Sequence, residues 1–138
     1  MSLINVYADR ADEYAGNVAF LYELLAEREA HESISHKVMP TLGEHRAFVE
    51  SLPYEYWYIV CERGQRVGAV YLTRKGEVGV SILRDHRRSG YASKALRLLM
   101  AMHPGRMLAN LNPANEASIA LFRKLGFTGP IQITMERP

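Results

Sequence analysis

The sequence has little of several features that would point to particular classes of protein. It contains one cysteine, Cys61, in 138 residues, so an internal disulfide and a cysteine-rich metal site are both excluded. No apolar run approaches the roughly 20 residues that a membrane-spanning helix needs. The first residues also lack the basic start and apolar stretch of a signal peptide. We therefore expect a cytoplasmic protein with no membrane partner.

An excess of charge of one sign is also missing. The 17 basic and 15 acidic residues give a net charge of +2, which does not by itself indicate a nucleic-acid partner. Hydrophobic residues make up 48% and charged residues 23% of the chain, which is ordinary for a globular protein with one core. We predict a single domain over residues 1–138, acting as a monomer or a homodimer.

The lone thiol belongs to the apolar run "YWYIVC". Such a run supplies no basic neighbour to lower the pKa of a thiol. Cys61 is therefore interpreted as a buried, inert side chain.

Hydrophobic periodicity predicts ten elements in the order β-α-α-β-β-β-α-β-α-β. The predicted strands are Leu3–Asp9, Tyr54–Glu62, Arg66–Thr73, Glu77–Leu83, Arg106–Asn112 and Ile131–Arg137. The predicted helices are Asn17–Glu29, Thr41–Pro53, Ser89–His103 and Asn115–Gly126. Asn17 is assigned as the first N-cap, and Thr41 with Glu44 has capping-box spacing. Short glycine-bearing connections favour antiparallel hairpins, and the strand-helix-strand run over 77–112 favours one parallel crossover. The fold class is mixed α/β (α+β), mostly antiparallel.

A basic, glycine-containing turn precedes the third predicted helix. Gly90 lacks the Cβ that would keep a ligand from the backbone, and Arg87 and Arg88 add positive charge beside the helix N-terminus. Unpaired amides and the helix dipole make such an end suitable for a phosphate or pyrophosphate. An ordinary strand-to-helix turn with solvated arginines explains the same residues, and this stretch alone leaves both interpretations open. It is neither a P-loop nor a dinucleotide fingerprint.

Two motifs, taken together, carry a family resemblance. Arg87, Gly90 and Ala92 form R-x-x-G-x-A, and residues 115–127 form N-x-x-x-x-x-L-F-x-K-x-G-F. They resemble the GNAT superfamily of acyl-CoA N-acyltransferases, whose first motif is Gln/Arg-x-x-Gly-x-Gly/Ala. The order of predicted elements matches this family along essentially the whole chain.

The resemblance implies acetyl-CoA as co-substrate and no metal. The fourth strand would pair with the pantetheine arm, the turn amides would bind the pyrophosphate, and Asn115 would reach the arm from across a groove while also capping its helix. An N–H near Ile82 would polarise the thioester carbonyl. The implied cofactor residues are Ile82, Leu83, Arg84, Arg87, Arg88, Ser89, Gly90, Tyr91, Ala92, Ser93, Asn115 and Phe122.

The implied reaction is direct attack of a primary amine on the thioester in a ternary complex. A small amine or amino sugar is the preferred acceptor, and a protein N-terminus comes next. One alternative is a non-catalytic CoA-binding or regulatory module of the same fold. A nucleic-acid-binding domain that uses Arg84, His86, Arg87 and Arg88 is disfavoured, because this compact patch fits one pyrophosphate better than a duplex.

The proton donor departs from the family pattern. Phe122 stands where the family often has a tyrosine, and a phenyl ring cannot donate a proton. Ser118 lies one helical turn earlier and is a candidate to replace it. Alternatively CoA leaves as a free thiolate, or catalysis is weakened.

The resemblance implies a carboxylate or a histidine on or near the fourth strand as the base. Glu77 is the carboxylate on that strand, although a solvated strand end is the favoured explanation for it. His31, Glu32 and His36 follow the first helix in a region that lines the acceptor site in the family, but a surface role is favoured for each of them. Their spacing is not that of a helical zinc motif, so no metal is expected.

Aromatic residues concentrate on the second predicted strand. Alternation directs Tyr56 and Tyr58 to one face of the sheet and Trp57 to the other. Half of this cluster is expected in the core, and the other half could form the floor of an acceptor pocket.

Overall fold

The computed structural model describes residues 1–32, 38–130 and 135–138. Within these ranges the strands are β1 (Ser2–Asn5), β2 (Tyr56–Glu62), β3 (Gln65–Leu72) and β4 (Val78–Ile82). The α-helices are α1 (Ala11–Glu32), α2 (Leu42–Glu50), α3 (Tyr91–Met102) and α4 (Glu116–Lys124), and a 3₁₀ turn spans Arg84–His86. None of the described helices has the length and apolar character needed to cross a membrane.

The strands form one antiparallel sheet in the order β1-β2-β3-β4. Glu62 pairs with Gln65, so the β2–β3 hairpin turns over Arg63 and Gly64, whose φ angles are 50° and 78°. Positive φ at both central residues is the turn geometry that matches the twist of paired strands. The predicted mixed, mostly antiparallel fold class is confirmed.

Alternation along β2 divides its side chains between two cores. Tyr58 and Val60 face α3 and α4, whereas Trp57 and Ile59 face α1 and α2. The predicted separation of Trp57 from Tyr58 is therefore confirmed. The helix residues that cover the sheet are Ala95, Leu96, Leu99 and Phe122 on one face and Val18, Leu21, Leu24 and Val49 on the other.

The parallel crossover is present but short. Glu77 and Leu108 form a parallel bridge, in which Val78 N donates to Leu108 O and Leu108 N donates to Gly76 O, both at 2.8 Å. The full strand predicted over 106–112 is not formed. Among the described residues, no further backbone hydrogen bond joins the segment 106–112 to β4. The segment and β4 therefore separate beyond Leu108.

The first helix begins six residues earlier than predicted. Asn17 is not an N-cap; it lies inside α1 and is 2% exposed. Its Nδ2 donates to Val6 O and its Oδ1 accepts from Arg66 Nε, both at 3.0 Å. A buried side-chain amide adds little to the free-energy cost of folding when both its oxygen and its nitrogen are hydrogen-bonded. The Asn17 side chain, which resembled a cap in the sequence, therefore joins α1 to Val6 and to Arg66 of β3.

Other boundaries follow the local chemistry. The predicted capping box of α2 is confirmed, with Glu44 N donating to Thr41 Oγ1 at 3.1 Å and Thr41 N donating to Glu44 Oε1 at 3.0 Å. β1 stops at Asn5, whose Oδ1 accepts from Tyr7 N. Residues 131–134 of the predicted last strand lie outside the described residues, and 135–138 form no strand.

Candidate active site

A cavity of about 600 Å³ opens where β4 and the segment after α3 separate. One wall, called the polar wall because it carries the polar side chains of the cavity at Ser81, Asn110, Asn112, Asn115 and Ser118, comes from β4, the segment 110–115 and α4. The opposite wall is apolar and comes from α1, α2, β2 and β3. The side chains and backbone of the polar wall are Val78, Gly79, Val80, Ser81, Asn110, Leu111, Asn112, Asn115, Ser118, Leu121 and Phe122.

The outer edge of β4 carries backbone groups without a strand partner in the described chain. All of β4 is in register with β3. Leu83 N donates toward β3, to Val67 O at 2.9 Å, whereas Val78 N donates away from it, to Leu108 O at 2.8 Å. Since backbone groups alternate along a strand, the N–H groups of Val80 and Ile82 face outward. Sequence reasoning identified Ile82 and missed Val80, whose outward direction depends on the register of β3.

The turn after β4 leads into an exposed helix N-terminus. Gly90 is the N-cap of α3 in the left-handed region, with φ of 75°, and Arg88 has φ of 65°. No atom of the described chain lies within 4 Å of where a Cβ at Gly90 would sit. The first helical bond runs from Lys94 N to Gly90 O at 3.1 Å. The three amides between them, at 91–93, therefore have no acceptor among the described residues.

The arginines of this turn differ in what they contact. Arg88 is exposed, as is Ser89. Arg87 Nε donates to Ile82 O at 3.0 Å, and its Nη2 lies 3.9 Å from Glu27 Oε1. The same Glu27 oxygen accepts from the backbone N–H of Arg84. Glu27, which sequence reasoning missed, thus fastens α1 to the turn.

Asparagine oxygens of the polar wall are used within the chain. Asn115 caps α4, its Oδ1 accepting from Ser118 N at 3.1 Å, so the predicted cap is confirmed. Asn112 Oδ1 accepts from Ala114 N at 2.9 Å. Both side-chain NH₂ groups are left as donors beside the cavity, with no acceptor among the described residues.

Phe122 and Ser118 lie one turn apart on α4, and both line the cavity. The Phe122 ring is 5% exposed and packs edge-to-face on Phe127, with ring centroids 5.0 Å apart. The Phe122 side chain offers only apolar contact to the cavity, with no hydrogen-bond donor or acceptor. Ser118 is therefore the hydroxyl that α4 offers to this wall.

Glu77 lies at the rim of the cavity rather than among its described lining residues. Its Oε2 accepts from Asn110 Nδ2, and Asn110 lines the cavity. The side chains of His31 and Glu32, and the whole of His36, fall outside what the structure describes. In the described part of the chain, no group of three or more His, Cys, Asp or Glu side chains could hold a metal ion.

The apolar wall is built around an aromatic cluster. The Tyr54 ring meets Trp57 edge-to-face at 4.8 Å and Tyr71 at 3.9 Å. Burial, and then the neighbouring Tyr71, raise the pKa of Tyr54 to about 12. A Cβ at Gly79 would lie 2.2 Å from the Tyr71 ring, so the glycine is what lets this ring lie over β4. Sequence reasoning missed Tyr71, because its neighbours come from other strands.

His45 is a further residue of this wall that was not singled out. It is 4% exposed, its Nε2 lies 3.2 Å from Val18 O, and burial lowers the pKa of the imidazole. A neutral ring thus joins α2 to α1. Its position on the apolar stripe of α2, three residues after Leu42 and three before Phe48, was the available signal.

Cys61 is not among the described residues that line the cavity. Its side chain is half-buried, not buried as predicted. This partial burial raises the pKa of the thiol, which lowers the thiolate fraction that a nucleophile needs.

Comparison with known proteins places these features in a family. Residues 13–128 match the family model of the GNAT acetyltransferase domain. The chain is similar to a ribosomal-protein-alanine N-acetyltransferase from Brucella melitensis, with 20% identity, a TM-score of 0.70, and coverage of 91% of this chain and 83% of that one. A ribosomal L7/L12 alpha-N-protein acetyltransferase in complex with coenzyme A has 20% identity, a TM-score of 0.71, and coverage of 91% and 78%.

A third solved structure is a proposed acetyltransferase from Salmonella typhimurium with its cofactor acetyl-CoA. It shares 24% identity and a TM-score of 0.68, and the match covers 93% of this chain and 80% of that one. At such identities these three structures establish a common fold. No curated protein matches the sequence.

Proposed function

Since the chain belongs to the GNAT acetyltransferase family, we propose that it transfers an acetyl group from acetyl-CoA to a primary amine while both are bound. One observation carries the proposal. The unpaired edge of β4 borders a cavity of about 600 Å³, and β4 leads through a short turn to the unpaired amides of α3. An exposed strand edge followed by a helix N-terminus suits an extended arm that ends in a pyrophosphate.

The residues of this strand edge and helix N-terminus fit acetyl-CoA. Val80 and Ile82 offer the outward N–H groups that an extended pantetheine arm would pair with, in the manner of an added strand. The amides of Tyr91, Ala92 and Ser93 would bind the pyrophosphate at the positive end of α3. The open space and left-handed backbone at Gly90 favour such an approach.

Flanking residues complete this cofactor site. The charge of Arg88 would attract the pyrophosphate, and the NH₂ group of Asn115 would donate to the pantetheine arm from the α4 side of the cavity. Leu83 and Arg84 contribute side chains, because their N–H groups already have partners within the protein. Ser89 is an exposed member of the same turn, and Phe122 supplies apolar contact in the wall.

When bound, acetyl-CoA supplies a thioester carbonyl that an amine can attack. The outward Ile82 N–H would stabilise negative charge that develops on the carbonyl oxygen. The cavity holds the amine beside that carbon, and such juxtaposition is worth as much as about 7–11 kcal/mol when the geometry is good. Binding and orientation therefore supply the larger part of the rate.

Two proton transfers remain for side chains of this chain. Glu77, whose carboxylate accepts from Asn110, would take the ammonium proton through water at the rim of the cavity. Ser118, which lines the cavity, would return a proton to the departing sulfur, directly or through a water. Neither role requires a metal.

A small amine or an amino sugar is the first acceptor in this proposal, and the proposed location of the protein is the cytoplasm. A protein N-terminus is the second acceptor, supported by two structural neighbours whose names give that activity.

The test is mass spectrometry of products after incubation with acetyl-CoA and a panel of amines and peptides, with calorimetric titration of acetyl-CoA in parallel. Acetyl-CoA binding with transfer to an amine supports the proposal. Binding without transfer to any acceptor would favour a non-catalytic CoA-binding module, and absence of binding would reject both.

A further inference from the structure

The Tyr71 ring extends from β3 across β4. Tyr71 is the register partner of Gly79, and a Cβ at Gly79 would overlap Cζ and both Cε atoms of the ring. The far end of the ring therefore lies where a side chain at position 79 would be. A glycine inside a strand often marks such a close approach. The ring thus reaches the strand whose outer edge borders the cavity.

Neighbouring aromatic residues hold the ring in this position. On its other side Tyr71 is in register with Trp57 of β2, which is buried. The Tyr54 ring meets Tyr71 edge-to-face, with centroids 3.9 Å apart. Since the β2 side is filled by these two rings, the direction left to Tyr71 is toward Gly79. Packing therefore fixes the ring over β4.

The floor of the cavity is lower beside this ring. Ala69 and Ser81 form the next register pair on the same face of the sheet, and both line the cavity, as Tyr71 and Gly79 do. Their side chains are small, so the sheet has a depression over this pair. The depression ends at the Tyr71 ring.

The groove beside β4 is closed at the same end. Val78 N donates to Leu108 O at 2.8 Å, which joins β4 to the segment 106–112 one residue before Gly79. An arm bound to the α3 amides, which follow β4 in the chain, runs back along the strand from Ile82 toward Val78. The acyl end of such an arm therefore points at the closed junction, with the Tyr71 ring beside it.

We propose that Tyr71 determines the size of the acyl group that the protein accepts. The ring leaves room for an acetyl group over Ala69 and Ser81 and excludes a chain as long as hexanoyl. The inference rests on the proposed acetyl-CoA site and adds a specificity-determining residue to it. A ring over a strand glycine also stabilises a sheet. The ratio of the affinities for two acyl-CoA molecules separates selection from packing, because packing alone does not change that ratio.

Calorimetric titration with CoA, acetyl-CoA and hexanoyl-CoA tests this role without turnover. The variants are Tyr71→Phe, which keeps the ring atoms over Gly79, and Tyr71→Leu, whose side chain ends at Cδ and does not reach them. The wild type and Tyr71→Phe should bind hexanoyl-CoA no more tightly than acetyl-CoA. Tyr71→Leu should bind hexanoyl-CoA about tenfold more tightly than acetyl-CoA, because the added methylene groups become buried.

Three outcomes overturn the role of the Tyr71 ring. The first is tighter binding of hexanoyl-CoA than of acetyl-CoA by the wild type. The second is an affinity ratio in Tyr71→Leu equal to that of the wild type, which would leave the ring with a packing role alone. The third is a ratio in Tyr71→Phe equal to that of Tyr71→Leu, which would assign the selection to the hydroxyl. Unchanged affinity for CoA itself checks that each variant keeps the cofactor site.

The same titrations separate this inference from the proposal on which it rests. If the wild type binds none of the three molecules, CoA included, the cofactor site and the acyl-size role are both rejected. Acetyl transfer by the wild type with an unchanged ratio in Tyr71→Leu supports the proposed function and rejects the role of Tyr71. The expected change of ratio without transfer to any amine supports the role of Tyr71 and rejects acetyl transfer.

Discussion

Arg87 Nε donates a hydrogen bond to the carbonyl oxygen of Ile82 at 3.0 Å. The other end of the guanidinium lies 3.9 Å from Glu27, whose carboxylate also accepts from the Arg84 backbone. The arginine that resembles a phosphate ligand in the sequence is thereby held against the end of β4. In this arrangement Arg87 fixes the turn whose amides are proposed to bind the pyrophosphate, and Arg88 would act by its charge.

Arg87→Met is therefore expected to weaken acetyl-CoA binding and stability together. Half-exposed contacts of this kind contribute about 1 kcal/mol, at the low end for charged hydrogen bonds, so the dissociation constant should rise about fivefold. Arg87→Lys should not restore it, because lysine has no Nε–H to give to Ile82. Calorimetry and thermal unfolding check both effects, and wild-type behaviour of Arg87→Lys would contradict the bracing role. Arg88→Met, as the control, should lower affinity in a salt-dependent way and leave stability unchanged.

Gly90→Glu tests the anion site itself. A carboxylate beside the α3 amides should repel the pyrophosphate and raise the acetyl-CoA dissociation constant at least tenfold above that of Gly90→Gln. Glutamine has the same size and the same left-handed backbone cost, so the comparison isolates charge. Isothermal titration of the two variants measures the difference, and equal affinities would place the pyrophosphate elsewhere.

The parts of the fold that depend on local chemistry were predictable. The structure confirms two caps that were predicted from residue type and spacing. One is the capping box of Thr41 and Glu44, and the other is Asn115 at the start of α4. Gly90 is where a left-handed N-cap is needed. Such features depend on neighbours within four residues, which the sequence displays directly.

Errors came from tertiary contacts. Asn17 has the chemistry of an N-cap, but Val6 and Arg66 bind both ends of its amide inside α1. The strand predicted over 106–112 has strand-like residues, yet only Leu108 bridges to β4. The same separation opens the cavity, so the failed strand prediction and the candidate site have one cause.

Half of the candidate site was not predictable for the same reason. Glu27 reaches Arg84 across 57 residues of chain, and His45 reaches Val18 across 27. Tyr71 lies over Gly79 because of the β3–β4 register. Periodicity indicates that such residues are partly buried, but it does not say which of them meet.

Ser118→Ala should slow turnover without weakening cofactor binding. Loss of a general acid typically costs about 10²-fold or more, so kcat should fall while the acetyl-CoA dissociation constant stays within about threefold of wild type. Alanine is a good helix former and the Asn115 cap bonds to the Ser118 backbone, so α4 should remain folded. Steady-state thiol release measures the effect.

Phe122→Tyr provides the matched rescue. It adds a phenol to the cavity wall one turn from position 118, so the double variant with Ser118→Ala should recover part of the lost kcat. An unchanged kcat in Ser118→Ala would show that the sulfur departs as a thiolate. Failure of the tyrosine to rescue a slow Ser118→Ala variant would argue against proton donation from this face of α4.

Glu77→Gln should reduce kcat/KM about 10²-fold near neutral pH, because the basic group is lost. The glutamine oxygen still accepts from Asn110, so the geometry at the rim is retained. Acetyl-CoA affinity should not change. Steady-state kinetics and calorimetry measure the two effects, and an unchanged kcat/KM in Glu77→Gln would assign the base to another group.

His45 should make stability depend on pH. Burial lowers its folded-state pKa below the ordinary value of 6.5, so between these two pKa values the unfolded chain binds a proton that the folded chain does not. The free energy of unfolding is then fully supported above pH 6.5 and falls as the pH drops toward the folded-state pKa. Chemical denaturation of the protein and of His45→Gln between about pH 5 and pH 8 measures this, and the variant should show the smaller decline.

Glutamine is the appropriate replacement, because its amide can still donate to Val18 O. The lowered pKa of Glu44, caused by its hydrogen bonds to Thr41, acts only below 4.5 and stays outside this range. Identical declines in the two proteins would mean that His45 titrates alike in the folded and unfolded chains. In that case the α1–α2 contact could not depend on a neutral imidazole, and the wall it supports would keep its shape when the ring is charged.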